Sequence, residues 1–241
     1  MSKSLLIVAI LGSAFVPAWA GDEPSVEEAL KKFKKDIVNP NPQTRASAAS
    51  DLAATKSEKT ASALGSLLGQ DVEDVRKAAA TGLGGFSDYK KKVVPILIAG
   101  LSVNGSMPKV MEAIFQALGK LDDDSSLSTI HRYFEDKDAV TATAALMAAA
   151  EIRNVSSIDV ILDLMRKYEK IEASSKNAGG GYGNLNIPGG NANDAKAKLA
   201  KDMIPATVKA MQKISGEKWA TTKEWELWWS KHKATFKTDS K

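Results

Sequence analysis

One short pattern returns four times between Gln43 and Ala173, and it constrains the fold more than any other feature of the chain. Its clearest copy is Val75-Arg-Lys-Ala-Ala-Ala-Thr-Gly-Leu83-Gly-Gly-Phe86. Setting Leu83 against its equivalents picks out Leu52, Leu118 and Ala149, at spacings of 31, 35 and 31 residues. A larger side chain follows three positions on, as Phe86, Leu121 and Ile152, with Thr55 the weak member. Ala48, Ala79, Ala113 and Ala144 recur four or five positions before the anchor, where small side chains let helices approach closely. A period of this length in helical segments predicts an all-α solenoid of antiparallel helix pairs. No pair can bury its apolar face alone, so each must be covered by its neighbours.

Each repeat divides into two helices. The first runs over Gln43–Ala54 and Glu58–Leu68, the second over Val72–Phe86 and Lys90–Leu101. The third takes Pro108–Leu121 and Ser126–Phe134, the fourth Ala139–Ile152 and Ser157–Ala173. Pro95 fits best in a first helical turn, where its missing N–H costs little. Ahead of the repeats, Ser25 caps a helix to Val38 whose apolar face is Leu30, Phe33 and Ile37, and Asn39-Pro-Asn-Pro42 stops it. Its other face carries Lys31, Lys32, Lys34 and Lys35 and reads as a solvated surface.

Glu73-Asp74-Val75-Arg76, followed by alanines and Leu-Gly, resembles a HEAT repeat, of the HEAT and armadillo-like α-solenoid class. The resemblance implies a scaffold and no particular activity, because such repeats host many functions. The family's recurrent arginine stands at Arg45 and Arg76, but Met111 and Ala142 occupy the later equivalents. The second half is therefore expected to be held by apolar contact.

The two ends differ from the middle. Residues 1–20 read as a signal peptide: Lys3, an uncharged run from Leu5 to Val16, then Pro17-Ala18-Trp19-Ala20. A helix of that length rises only about 18 Å, short of a bilayer core of roughly 30 Å. Export is the expectation, to the periplasm or outside the cell, with residues 21–173 forming the leading helix and four repeats. Cysteine is absent, so stability must come from packing rather than disulfides. Residues 174–193 are a glycine-rich insert, in which Tyr182 and Ile187 are the candidate contacts of a binding loop. Residues 194–241 read as a partial fifth repeat and a tryptophan-rich cap with a short basic tail. Met211 and Ile214 repeat the anchor pair 62 residues past Ala149, as though the insert stood in the place of a decayed repeat. Pro205 is expected to kink or split that helix, and Gly216 to end it. Thr221-Thr-Lys-Glu224 forms a capping box for a last helix on which Trp225, Trp228 and Trp229 share a face. The run Ile-Ser-Gly-Glu-Lys-Trp219 with Trp225-x-x-Trp-Trp is similar to the tail of exported bacterial HEAT-repeat proteins. Rings of this size are worth burying, so a cap is expected.

Catalytic patterns are missing. His131 and His232 stand far apart and precede Arg132 and Lys233, so the paired His-Glu motif of metal-binding HEAT-like enzymes fails at both. There is no Gly-x-Ser-x-Gly elbow and no phosphate loop. Asp122-Asp-Asp-Ser-Ser126 lacks the glycine and terminal glutamate of a calcium loop and reads as a turn with a helix cap. No catalytic residue, metal or cofactor is assigned. With 33 basic against 29 acidic residues, the weak balance argues against nucleic acid. Asn104-Gly-Ser106 and Asn154-Val-Ser156 match the N-glycosylation acceptor pattern. The expected role is non-catalytic binding of a protein or peptide on the second-helix faces, at Lys90, Lys91, Lys92, His131, Arg132, Tyr133, Arg166 and Lys167. Tyr182 and Trp228 are further contacts. The alternative is binding of a cell-wall polymer or carbohydrate through exposed tryptophans.

Overall fold

The computed structural model describes residues 25–178 and 192–237, and every element in them is helical. The signal segment, Tyr182, Ile187 and most of the glycine-rich insert lie outside the described residues. Helix α1 (Val26–Asp36) starts at a capping box between Ser25 and Glu28. The pairs follow as α2 (Pro42–Ala54) with α3 (Glu58–Gln70), α4 (Glu73–Leu83) with α5 (Lys90–Val103), and α6 (Pro108–Leu121) with α7 (Leu127–His131). Then come α8 (Ala139–Ile152) with α9 (Ser156–Ala178), and α10 (Ala192–Ser215) with α11 (Thr222–His232).

The chain is an α-solenoid of two layers. In the first layer α2, α4, α6, α8 and α10 each pack on the next, while in the second α3 lies on α5, and α7 and α11 both lie on α9. Helix α1 covers α2 and α3 at the near end. Starts and stops follow local chemistry. Asn41 caps α2 with Pro42 at its first position, Ser57 and Thr60 bracket the start of α3, and Asp138 accepts from the Thr141 amide at the start of α8. Asp122 and Arg153 end α6 and α8 in the left-handed region, and Gly216 follows α10 there at φ 78°.

Leu52, Leu83, Leu118 and Ala149 are at most 2% exposed and lie on four consecutive helices of the first layer. Phe86, Leu121, Ile152, Met211 and Ile214 are buried with them. Covering one such side chain is worth roughly 1.5–3 kcal/mol, so the row is the main source of cohesion between pairs. Gly119 of α6 lies so near α8 that a Cβ there would sit 3.2 Å from the Ala148 Cα.

Four expectations need correction. The 62 residues between Ala149 and Met211 hide no missing repeat, because α10 packs directly on α8. The extra length goes into α9 and α10 (23 and 24 residues) and the segment between them. Helix α10 also runs unbroken through Pro205, which faces solvent, where carbonyls freed by a proline can turn to water. Pro95 stands in the second turn of α5, not the first, again at an exposed position. Finally, α11 lies along α9, so α10 and α11 fill the two places of a fifth pair.

Candidate functional site

Between α3 and α5 the second layer holds an open groove of about 540 Å³. Small residues make it: a Cβ on Gly65 would sit 2.6 Å from the Ile96 Cγ2, so glycine there leaves room for the Ile96 side chain against α3. The Ser62 and Ser66 hydroxyls donate back to the Glu58 and Ala63 carbonyls at 2.9 and 2.7 Å, which leaves the wall largely apolar. Val103 closes one end and is 58% exposed, while Lys92 is the charged side chain of the lining. Lys90, Lys91 and Lys92 open α5 with no acidic residue in its first turn. Cations there oppose the positive end of the helix dipole, so local positive charge is raised.

The residues expected to form a contact surface do not form a single patch. Lys90 donates to the Asp122 carbonyl at 3.3 Å, which ties α5 to the end of α6. Lys91 and Lys92 are exposed, as is Arg132. Lys167 is bonded to Glu135, and Arg166 to Asp163 and to Glu226 of α11, so these two are structural ties within the second layer. Tyr133 is half-buried, its ring edge-on to Phe115 at 5.3 Å. His131 is half-buried too. Its Nε2 lies 2.9 Å from the Ser157 Oγ, its ring tilts against Phe134, and burial holds its pKa below the ordinary histidine value. Tyr182 lies outside the described residues.

Trp228 is 6% exposed and is not available as a contact. It stacks on Trp229 and His232 and meets Trp225 and Phe236 edge-on. Trp225 is fully buried, and Trp229 donates its Nε1–H to Asp159 of α9 at 2.8 Å. Although burial works against it, the bonds from Trp229 and Lys233 leave the Asp159 carboxyl below the usual carboxylate range. A sugar platform on α11 therefore does not match what is seen. Of the tryptophans in the described residues only Trp219, 39% exposed, shows much surface.

Sequence reasoning missed two polar groups that matter. Arg45 grips Asp71 with two nitrogens, Nη2 to Oδ1 at 2.7 Å and Nε to Oδ2 at 3.0 Å, and this keeps the Asp71 carboxyl below its ordinary range. One repeat later Arg76 donates to the Asn104 Oδ1 at 2.8 Å. Asn104 is fully buried and its amide donates to the Leu68 and Gly100 carbonyls, both at 2.8 Å. In the folded chain it is thus closed to the glycosylation that its Asn-Gly-Ser context suggests. The clue was positional: Asp71 and Asn104 each stand just past the end of their repeat's second helix, within reach of the arginine on its first. The acidic run behaves as expected of a turn, with Asp122 left-handed at φ 51° and Asp123 accepting from the Ser125 amide at 3.0 Å. Among the described residues no three His, Asp or Glu side chains are grouped to hold a metal, and no helix is long and apolar enough to cross a membrane.

Residues 27–104 match the family model described as HEAT repeats, which supports a HEAT-repeat domain over that stretch. No curated protein matches the chain.

Proposed function

We propose that the protein is an exported, non-catalytic scaffold that holds a protein or peptide along its second layer, in the groove between α3 and α5. The observation that carries this reading is the groove itself, an open and mostly apolar trough between two stacked helices with Lys92 at its mouth. HEAT repeats are commonly protein-interaction scaffolds, which agrees with it. The N-terminal segment supports export, and a mature chain beginning at Gly21 is the expected product. A photo-crosslinking side chain placed at Ala99, exposed in the groove, should capture a discrete protein from envelope fractions. The same probe at Thr81, exposed on α4, should not. Lys92→Glu should weaken the Ala99 adduct. Equal capture at both positions, or none at Ala99, would remove the groove from consideration.

A further inference from the structure

One helix of the first layer breaks the pattern of the others. The open sides of its neighbours are polar or charged, as Lys109, Gln116 and Lys120 are on α6. Helix α8 shows instead Val140, 46% exposed, with half-buried Thr143 and Met147, and it has no charged side chain until Glu151 in its last turn. A helix apolar all round belongs in an interior, yet this one borders solvent. Between α6 and α8 runs a groove of about 520 Å³, floored by Ala144 and Ala148.

The charges on its rim are ordered. Glu112 stands at the end where both helices begin. Lys120 stands at the other end, two turns and about 12 Å along α6. Beside Lys120 is Glu151, whose charge is met by Lys213 of α10, so Lys120 is the cation that the lining presents at that end. Gln116 lies midway, four residues from each, and at the anchor spacing of 31 it pairs with Met147 of α8.

The geometry points to a second copy of this chain as the occupant, with α8 against α8, antiparallel, about a two-fold axis near Gln116 and Met147. A two-fold contact sets each end of the groove against the opposite end of its mate. Lys120 of each copy then faces Glu112 of the other, and the two Met147 side chains close over the small residues of the floor. A parallel arrangement would oppose like charges. A partner of unrelated sequence would need only the apolar strip, whereas the reversal of charge about the midpoint selects self-pairing. The contact lies on the first layer, so it leaves the α3–α5 groove open and does not depend on what binds there.

Sedimentation velocity on the purified protein across the micromolar range tests this. The protein should form a concentration-dependent dimer, and Met147→Glu should leave a monomer. Glu112→Lys and Lys120→Glu should each weaken dimerisation by about tenfold or more. The double reversal should recover most of the loss, because each cation again meets an anion. Both charge positions are on the rim, so these variants keep the fold, which circular dichroism verifies, even if Met147→Glu does not. A monomer throughout the range, a dimer indifferent to Met147→Glu and to both single reversals, or a double reversal no better than the singles would overturn the proposal.

Discussion

The first two repeats and the last three are joined by different chemistry. In the first two, each junction carries a polar rung, Arg45 to Asp71 and then Arg76 to Asn104, beside the apolar row. In the third and fourth repeats the equivalents of the two arginines are Met111 and Ala142, at most 1% exposed, so no arginine rung is made there, and the polar ties are scattered ones such as His131 to Ser157 and Lys167 to Glu135. The far end is finished by a nest of rings around Trp228. The family match ends at residue 104, the last residue of the last rung. The same stacking nevertheless continues through α10. A polar rung demands particular residues at particular places, whereas an apolar junction accepts any side chain of suitable volume. The family is therefore recognisable where the rungs are, while the fold extends beyond them.

If that contrast is right, the largest single loss should come from the apolar end. Trp225 is fully buried, and its Nε1–H has no hydrogen-bond acceptor among the described residues, so its role is one of volume. Trp225→Ala should cost about 3–5 kcal/mol in urea denaturation. Trp225→Phe should recover a good part of that, since no indole hydrogen bond is lost. In Trp229, which donates to Asp159, the same change should cost relatively more. Equal penalties for the two Phe variants would mean that polar contacts matter as much at this end as at the other.

The next largest effect belongs to the second rung. Asn104→Ala leaves the Leu68 and Gly100 carbonyls and one arm of Arg76 without their partner, and should cost about 2–3 kcal/mol. Asn104→Asp should fail to rescue it. A carboxylate would satisfy Arg76 but cannot donate to two carbonyls, and it would sit buried against them. If Asp restores full stability, the arginine is the half of the rung that counts and the two amide bonds are incidental.

This also explains what could be read from the residues and what could not. Leu83 and its equivalents placed the first-layer helices within a residue or two at most ends, because a buried row must repeat with the stack. Thr221 and Glu224 announced α11 through local bonds alone. Long-range partners left no comparable trace. Asn104 looked like a surface acceptor site because its neighbours Gly105 and Ser106 are turn residues, and its burial depends on α3, more than thirty residues earlier in the chain. Lys167 and Arg166 looked like a basic patch because Glu135 and Glu226 are remote in sequence. Counting residues could not tell a missing repeat from lengthened helices between Ala149 and Met211, since both predict the same spacing.

The smallest effect concerns His131, a polar contact in the half without rungs. Burial lowers its pKa, so the folded chain takes up a proton there less readily than the unfolded chain, where imidazole titrates near its ordinary value of about 6.5. Below that value the unfolded state binds more protons, and stability falls as the pH drops toward the folded pKa. The bond to Ser157, whose side chain is fully buried, is compatible with a neutral ring in which Nε2 accepts. Denaturation of the unaltered protein and of His131→Gln at pH 7.5 and 5.5 isolates this term, because the shared carboxylates cancel in the difference. The unaltered protein should lose more stability on acidification than the variant does. Parallel losses would mean that α7 gives up its neutral contact without cost.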